Sequence, residues 1–253
     1  MSVFEKSQYN PVLRLGPNSV GQVLYFFGAV HTNKYTDIQF KNLRKFWDKF
    51  LSVTKNEKTV FIEGVLHELP PDYKEAIKVY GETGAIGWLA REAGIEIVHA
   101  EPSEDLQRES LCGLFDSKVV AYSIIIQNLG VWFRHESQTD FEEALNRVLK
   151  REAKFSDIYG FTTDKSWFSS QHEKLFPHQT LEDKQFLDSI SDPRNNNTVV
   201  NEIVACRSKF RDKHILSLIK KVFQSGKSIF IVYGKGHLAT LESSIQKLVT
   251  DIS

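Results

Sequence analysis

The sequence is poor in cysteine and has no excess of charge of either sign. Its 253 residues include two cysteines, Cys112 and Cys206, whose spacing fits neither a metal-binding pair nor a disulfide framework. This scarcity weakly favours a reducing compartment. Lysine and arginine together number 32, as do aspartate and glutamate, so the formal net charge is zero. We therefore expect no nucleic-acid partner, because proteins that bind nucleic acids usually carry a basic patch or stripe.

The sequence also lacks long apolar runs. No window of about 18 uninterrupted apolar residues occurs, so no membrane-spanning helix is expected. The first ten residues, MSVFEKSQYN, lack the charged and apolar regions of a signal peptide. We therefore expect a cytoplasmic protein with no membrane partner and with a small-molecule or peptide substrate. The sequence does not indicate an oligomeric state.

Short apolar runs predict the strands of a sheet, at about 22–27, 59–62, 95–99 and 228–232. The connections between them are helix-forming and long enough for parallel crossovers. We predict an α/β fold with a largely parallel central sheet flanked by helices. Residues 1–20 contain prolines and are expected to be irregular. The chain is expected to form a single domain, 1–253, with a helical and loop insertion at 103–198 between the third and last core strands.

A histidine or a glutamate follows the end of each predicted strand. His31 comes after a glycine in GAVH, and His237 ends the similar segment GKGH. Glu63 directly follows the second strand, and Glu101 lies just beyond the third. Ligands of open α/β sheets bind at the carboxyl ends of the strands, so we expect these four side chains to meet there. Two imidazoles and two carboxylates can bind a divalent metal ion or share acid–base catalysis.

Two arginines extend this candidate site. Arg207 and Arg211 are spaced i, i+4 in the predicted helix 199–223, on the same face as its apolar residues. A buried guanidinium is costly unless a carboxylate or an anionic ligand meets it, and Glu63 and Glu101 are the obvious partners. The arginines could also stabilise an oxyanion. Arg211 is the preferred candidate, whereas Arg207 can also reach solvent along the helix, so its structural and functional interpretations stay open.

Three common functional motifs are either incomplete in this sequence or stand in the wrong structural context. GETGAIG at 81–87 has repeated glycines, but no strand precedes it, which argues against a dinucleotide site. GKGH at 234–237 lacks the ending of a phosphate-binding loop. No GxSxG segment occurs in the sequence, which argues against an ordinary serine hydrolase.

Taken as a set, four features resemble the TraB/GumN/TIKI superfamily, which also includes erythromycin-esterase-like and ChaN-like proteins. They are GAVH at 28–31, Glu63 after a strand, the Arg-Asp pair at 211 and 212, and GKGH at 234–237. The resemblance implies an α/β core with a helical insertion and a site built from His31, Glu63, Arg211 and His237. It leaves the chemistry open, because TIKI-type members are metal-dependent proteases, esterase-type members hydrolyse a lactone, and ChaN-type members bind haem.

These observations predict a metal-dependent hydrolase that acts on an amide or ester bond. His31, Glu63 and His237 are the predicted ligands of a divalent metal ion, which would be manganese, cobalt or zinc. Glu101 is the candidate general base or orienting residue, and Arg211 the candidate oxyanion stabiliser. One alternative is a metal-free, esterase-like hydrolase in which a histidine activates water. Another is a protein that binds haem or a small molecule through the same histidines without turnover.

Overall fold

Six strands form one sheet in the computed structural model, which describes residues 3–6, 9–134 and 140–252. The strands are β1 (Val3–Lys6), β2 (Pro11–Leu15), β3 (Leu24–Ala29), β4 (Lys58–Ile62), β5 (Glu96–His99) and β6 (Ser228–Gly234). Their order in the sheet is β1-β2-β3-β6-β4-β5. The last four in this order pair in parallel, whereas β1 and β2 are antiparallel. The predicted α/β fold with a largely parallel sheet is therefore confirmed.

The pairing of β3 with β6 brings the two histidine segments to the same edge of the sheet. The two strands run in parallel from the pair Leu24 and Ile229 to the pair Ala29 and Gly234. Both strands are buried along their whole length, as expected for strands that are covered on both faces. Because they end side by side, GAVH and GKGH leave the sheet next to each other.

The expectation of an irregular segment at residues 1–20 is wrong, because β1 and β2 lie there. Pro11 takes the first position of β2, which is a place where a strand tolerates proline. Val12 and Leu13 are both fully buried and pack into the hydrophobic clusters on opposite faces of the sheet. Successive side chains of β2 therefore alternate between the two faces. The antiparallel strands β1 and β2 extend the sheet beyond its parallel part.

The chain divides into two compact units, and the sheet belongs to the first, Met1–Glu101 with Asp212–Ser253. One face of the sheet is covered by α1 (Ile38–Val53) and α2 (Tyr73–Glu92). The other face packs against α10 (Lys235–Ile252) and residues 215–223 of the long helix α9 (Val199–Gln224). On the first face the ring of Phe230 lies 5.2 Å from Phe50 and 5.4 Å from Trp47, centroid to centroid.

The second unit, Pro102–Arg211, is helical and contains the segment 103–198. Its helices are α3 (Glu104–Cys112), α4 (Ser117–Arg134), α5 (Phe141–Glu152), α6 (Ser156–Tyr159), α7 (Lys165–Leu175), α8 (Lys184–Ser191) and the first half of α9. Arg108 and Glu152 form an ion pair at 2.8 Å in which neither side chain is exposed. Removing one partner of such a buried pair typically costs about 3–5 kcal/mol. Across the described residues, no helix is both long and apolar enough to span a membrane.

Two helices in the first unit determine where the histidines lie. Helix α10 begins at Lys235, immediately after β6, so His237 lies in its first turn. Helix α2 is kinked at Gly81, which has φ 58° and ψ −135°. A Cβ atom on Gly81 would lie 2.8 Å from the carbonyl oxygen of Thr32, so only glycine fits this approach.

Replacing Gly81 with alanine should destabilise the protein more than the same change at Gly94. Gly94 follows α2 with φ +64°, and a Cβ atom added there would have open space for 4 Å around it. Gly94→Ala should therefore cost about 1–2 kcal/mol for the left-handed backbone alone. Gly81→Ala adds the collision with Thr32, and we expect a loss of about 3 kcal/mol or more. Urea unfolding of the two variants measures the difference, and equal losses would contradict the contact with Thr32.

Candidate active site

His31 lies in the loop after β3 and is held by a buried carboxylate. Its Nδ1 atom is 2.5 Å from Oε1 of Glu82, the residue that follows the kink of α2. The Glu82 side chain is 7% exposed, whereas that of His31 is 55% exposed. Since a carboxylate only accepts hydrogen bonds, Nδ1 carries the proton of the neutral ring. The hydrogen bond to Glu82 raises the pKa of His31, against the smaller opposing effect of burial.

The Nε2 atom of His31 points toward β6 and Glu63. A Cβ atom at position 234 would lie 3.0 Å from Nε2 of His31 and 3.3 Å from Oε2 of Glu63. The imidazole and the carboxylate therefore lie against the bare backbone of Gly234. A side chain at position 234 would press on both groups, and they would have to move by a few tenths of an ångström to admit it.

Glu63 is held in place through both its side chain and its carbonyl oxygen. Its Oε2 atom accepts a hydrogen bond of 2.7 Å from the Gly234 N–H, and its Oε1 atom lies 3.6 Å from Nε2 of His237. Its carbonyl oxygen accepts a 2.9 Å hydrogen bond from the Thr83 hydroxyl. Burial alone would raise the pKa of the Glu63 carboxyl, but His237, the Gly234 N–H and the charge of His31 together lower that pKa to about 2. Glu63 is therefore ionised at neutral pH.

His237 has the same arrangement as His31. Its Nδ1 atom is 3.1 Å from Oδ1 of Asp212, and the two side chains are 15% and 17% exposed. Nδ1 therefore donates to the carboxylate, and Nε2 faces Glu63. The ring also packs edge-on against Tyr233, at 5.6 Å between centroids. Each imidazole thus has a carboxylate at Nδ1 and presents Nε2 toward the same glutamate.

Three of the predicted residues could bind one metal ion. Ligand atoms of Glu63, Glu101 and His237 all lie within 4.8 Å of one another, and the three residues are partly buried. Within the part of the chain that the structure describes, no other group of histidine, cysteine or acidic residues meets this criterion. The group differs from the predicted ligand set, since Glu101 takes the place of His31. Two carboxylates and an imidazole suit zinc, manganese or cobalt, and a carboxylate at Nδ1 is usual for a metal-binding histidine.

The arginines lie in the second unit, on the first half of α9, and both are partly buried. Glu63 and Glu101 were the expected partners of Arg207, but its hydrogen bonds go to Gln107 and Gln127. The role in catalysis predicted for Arg211 stays a prediction. His99 follows a different pattern from the other two histidines, because its Nδ1 atom pairs with the carbonyl oxygen of Gly64 at 3.0 Å.

Sequence analysis missed the two carboxylates that hold the histidines. Glu82 lies in the GETGAIG segment, which was considered only as a dinucleotide motif. Asp212 follows Arg211 directly, but the Arg-Asp pair gave no reason to assign its carboxylate to His237. Both residues approach their histidines only through the tertiary fold, being separated from them by 51 and 25 positions.

Comparison of the chain with protein-family models, with curated proteins and with solved structures finds no match to any of them. The resemblance to the TraB/GumN/TIKI superfamily therefore depends on the motifs of the sequence and remains a prediction.

Replacing Glu82 with glutamine should lower the pKa of His31. The amide oxygen can still accept from Nδ1, but the hydrogen bond becomes weaker and the negative charge that stabilises the imidazolium form is lost. An NMR titration of the imidazole measures the change, with His99 as an internal control at the same edge of the sheet. Glu82→Asp, which keeps the charge, should restore part of the shift. An unchanged His31 titration in Glu82→Gln would contradict the assigned hydrogen bond.

The ionised Glu63 carboxylate should make stability depend on acid pH. Its pKa falls from 4.5 in the unfolded chain to about 2, so its contribution is fully present above pH 4.5 and is lost as the pH falls toward 2. The full contribution is roughly 3 kcal/mol. The difference in unfolding free energy between the native protein and Glu63→Gln should therefore shrink over that range. The exposed Glu96, whose pKa Lys227 also lowers, provides a control in which a smaller change is expected.

Proposed function

We propose that the carboxyl edge of the sheet is the active site of a hydrolase that cleaves an amide or ester bond with a divalent metal ion. One observation carries this proposal: two imidazoles, each fixed at Nδ1 by a carboxylate, present Nε2 toward the ionised Glu63. Imidazoles in a protein core that only support the fold need no such matched pair. Fixed imidazoles beside a carboxylate are suited to binding a metal ion and to moving a proton.

Glu63, Glu101 and His237 are the residues that would hold the metal ion. Their ligand atoms are already within 4.8 Å of one another, and Asp212 keeps the His237 ring in the tautomer that offers Nε2. When bound, such an ion lowers the pKa of a coordinated water toward neutrality and polarises a carbonyl group. The Gly234 N–H holds the Glu63 carboxylate in place by its hydrogen bond to Oε2.

His31 is the residue best suited to move the proton. The neutral ring carries its hydrogen on Nδ1, so the Nε2 lone pair is available to accept a proton from an attacking water. Glu82 stabilises the imidazolium that forms, and it is too buried to turn toward solvent. The same imidazolium can then return its proton to the leaving amine or alcohol. This role differs from the predicted one, in which His31 binds the metal.

A metal-free hydrolase is the second candidate, and the His31–Glu82 pair favours it. A carboxylate-oriented imidazole is sufficient for general-base catalysis without an ion. In this version Glu63, Glu101 and His237 would set the charge of the site and orient the water. The oxyanion role of Arg211 belongs to both versions and stays a prediction.

Metal binding by single-residue variants tests the proposal. We expect the purified protein, dialysed against manganese, cobalt or zinc, to retain about one equivalent. Glu63→Ala, Glu101→Ala and His237→Ala should each weaken retention at least about tenfold, because each removes a ligand. His31→Ala should retain the metal and lose hydrolysis of a generic ester or peptide. His99→Ala, at the same edge, is the matched control and should change neither property.

The outcomes separate the candidates. Metal lost in His31→Ala but kept in Glu101→Ala would support the ligand set His31, Glu63 and His237 that the sequence predicts. Hydrolysis by a protein that retains none of the three metals would exclude the metal-dependent mechanism and favour the metal-free one. Full activity in both His31→Ala and Glu63→Ala would contradict the proposed site altogether.

A further inference from the structure

Arg207 is held by two neutral amides within the second unit. Its Nε atom donates to Oε1 of Gln107 at 2.8 Å, and its Nη1 atom donates to Oε1 of Gln127 at 3.0 Å. The three residues come from different helices, α9, α3 and α4. The guanidinium is therefore fixed in position by partners that carry no charge.

The two glutamines are themselves oriented. The amide nitrogen of Gln107, a residue only 5% exposed, donates to the carbonyl oxygen of Pro102 at 2.9 Å. The amide nitrogen of Gln127 donates to the carbonyl oxygen of Ser123 at 3.3 Å. With their N–H groups used in this way, both side chains must turn an oxygen toward Arg207. A glutamate at either place would make the same contact and would also neutralise the charge.

The nearby carboxylates are already paired with another arginine. Glu152 and Glu104 lie 2.8 Å and 3.4 Å from the guanidinium nitrogens of Arg108. Arg207 forms no ion pair with any residue that the structure describes. Burial, together with the positive charges of Arg211 and Arg108, lowers the pKa of Arg207 to about 10. The charges of Glu104 and Glu152 oppose this shift only in part, so the group remains charged at neutral pH without a direct ionic partner among the described residues.

We propose that Arg207 binds an oxyanion, the carboxylate or phosphate group of a small molecule. A guanidinium has five N–H groups, of which the glutamines use two. The other three, on Nη1 and Nη2, form a fork that can bind two oxygens of one anion. The residue is only partly buried and so keeps some contact with solvent. This inference concerns the second unit alone and does not depend on the proposed hydrolase.

Titration with inorganic phosphate, and separately with acetate, tests the inference by calorimetry at low ionic strength. Arg207→Gln should weaken binding of the preferred anion at least about tenfold. Gln127→Glu should do the same while leaving Arg207 in place, because the new carboxylate takes up its charge at nearly unchanged size. Arg147→Gln removes a 64% exposed arginine of the same unit and should leave binding unchanged. The stronger of the two anions identifies the ligand class.

Gln127→Glu keeps the test decisive even if Arg207→Gln does not fold. A purely structural arginine predicts that Gln127→Glu binds the anions as the native protein does and is at least as stable to heat. Absence of binding of both anions to the native protein, or equal binding to the native protein and Gln127→Glu, would overturn the proposal. Equal weakening in Arg147→Gln would also overturn it, because it would reveal a general effect of net charge.

Discussion

The geometry of the candidate site depends on the contact between the Glu63 carboxylate and the backbone of Gly234. The carboxylate accepts the Gly234 N–H, and the imidazole of His31 lies against the same residue. This approach follows from the parallel pairing of β4 with β6, and the absence of a side chain at position 234 leaves room for it. With the carboxylate fixed, two histidines from different segments can meet one negative charge. The parallel pairing of the apolar strands thus brings the polar residues that follow them to the same edge of the sheet.

The second unit shows how differently one type of side chain can be accommodated. Arg108 has no exposed surface and is neutralised by the equally buried Glu152, which is the usual solution for a charge removed from water. Its ring partner Phe155 lies 3.4 Å from the guanidinium carbon and completes the enclosure. Arg207 instead makes its hydrogen bonds to two amide oxygens, and the charges around it belong to carboxylates as well as to arginines. The first arginine is neutralised by a direct ion pair, whereas the hydrogen bonds of the second go to neutral groups.

The sequence predicts the parallel core well because the signal is local. Each parallel strand contains a short apolar run that is followed by a glycine or a polar residue, so the strand and the candidate side chains beyond it can be predicted together. The antiparallel strand β2 was missed, because it is short and begins with Pro11. Glu82 and Asp212 were missed for a different reason. Each is an ordinary acidic residue within a helix, and only the kink at Gly81 and the course of α9 bring them to an imidazole.

Consecutive residues of α2 join two segments that are far apart in the chain. Glu82 binds the imidazole of His31, and Thr83 binds the carbonyl oxygen of Glu63. The turn of helix after Gly81 therefore connects the loops that follow β3 and β4 through one hydrogen bond to each. If this turn opens, both loops lose their anchor in the same event. In hydrogen-exchange terms, the two loops should belong to one cooperative opening unit, so the site would be assembled or lost as a whole.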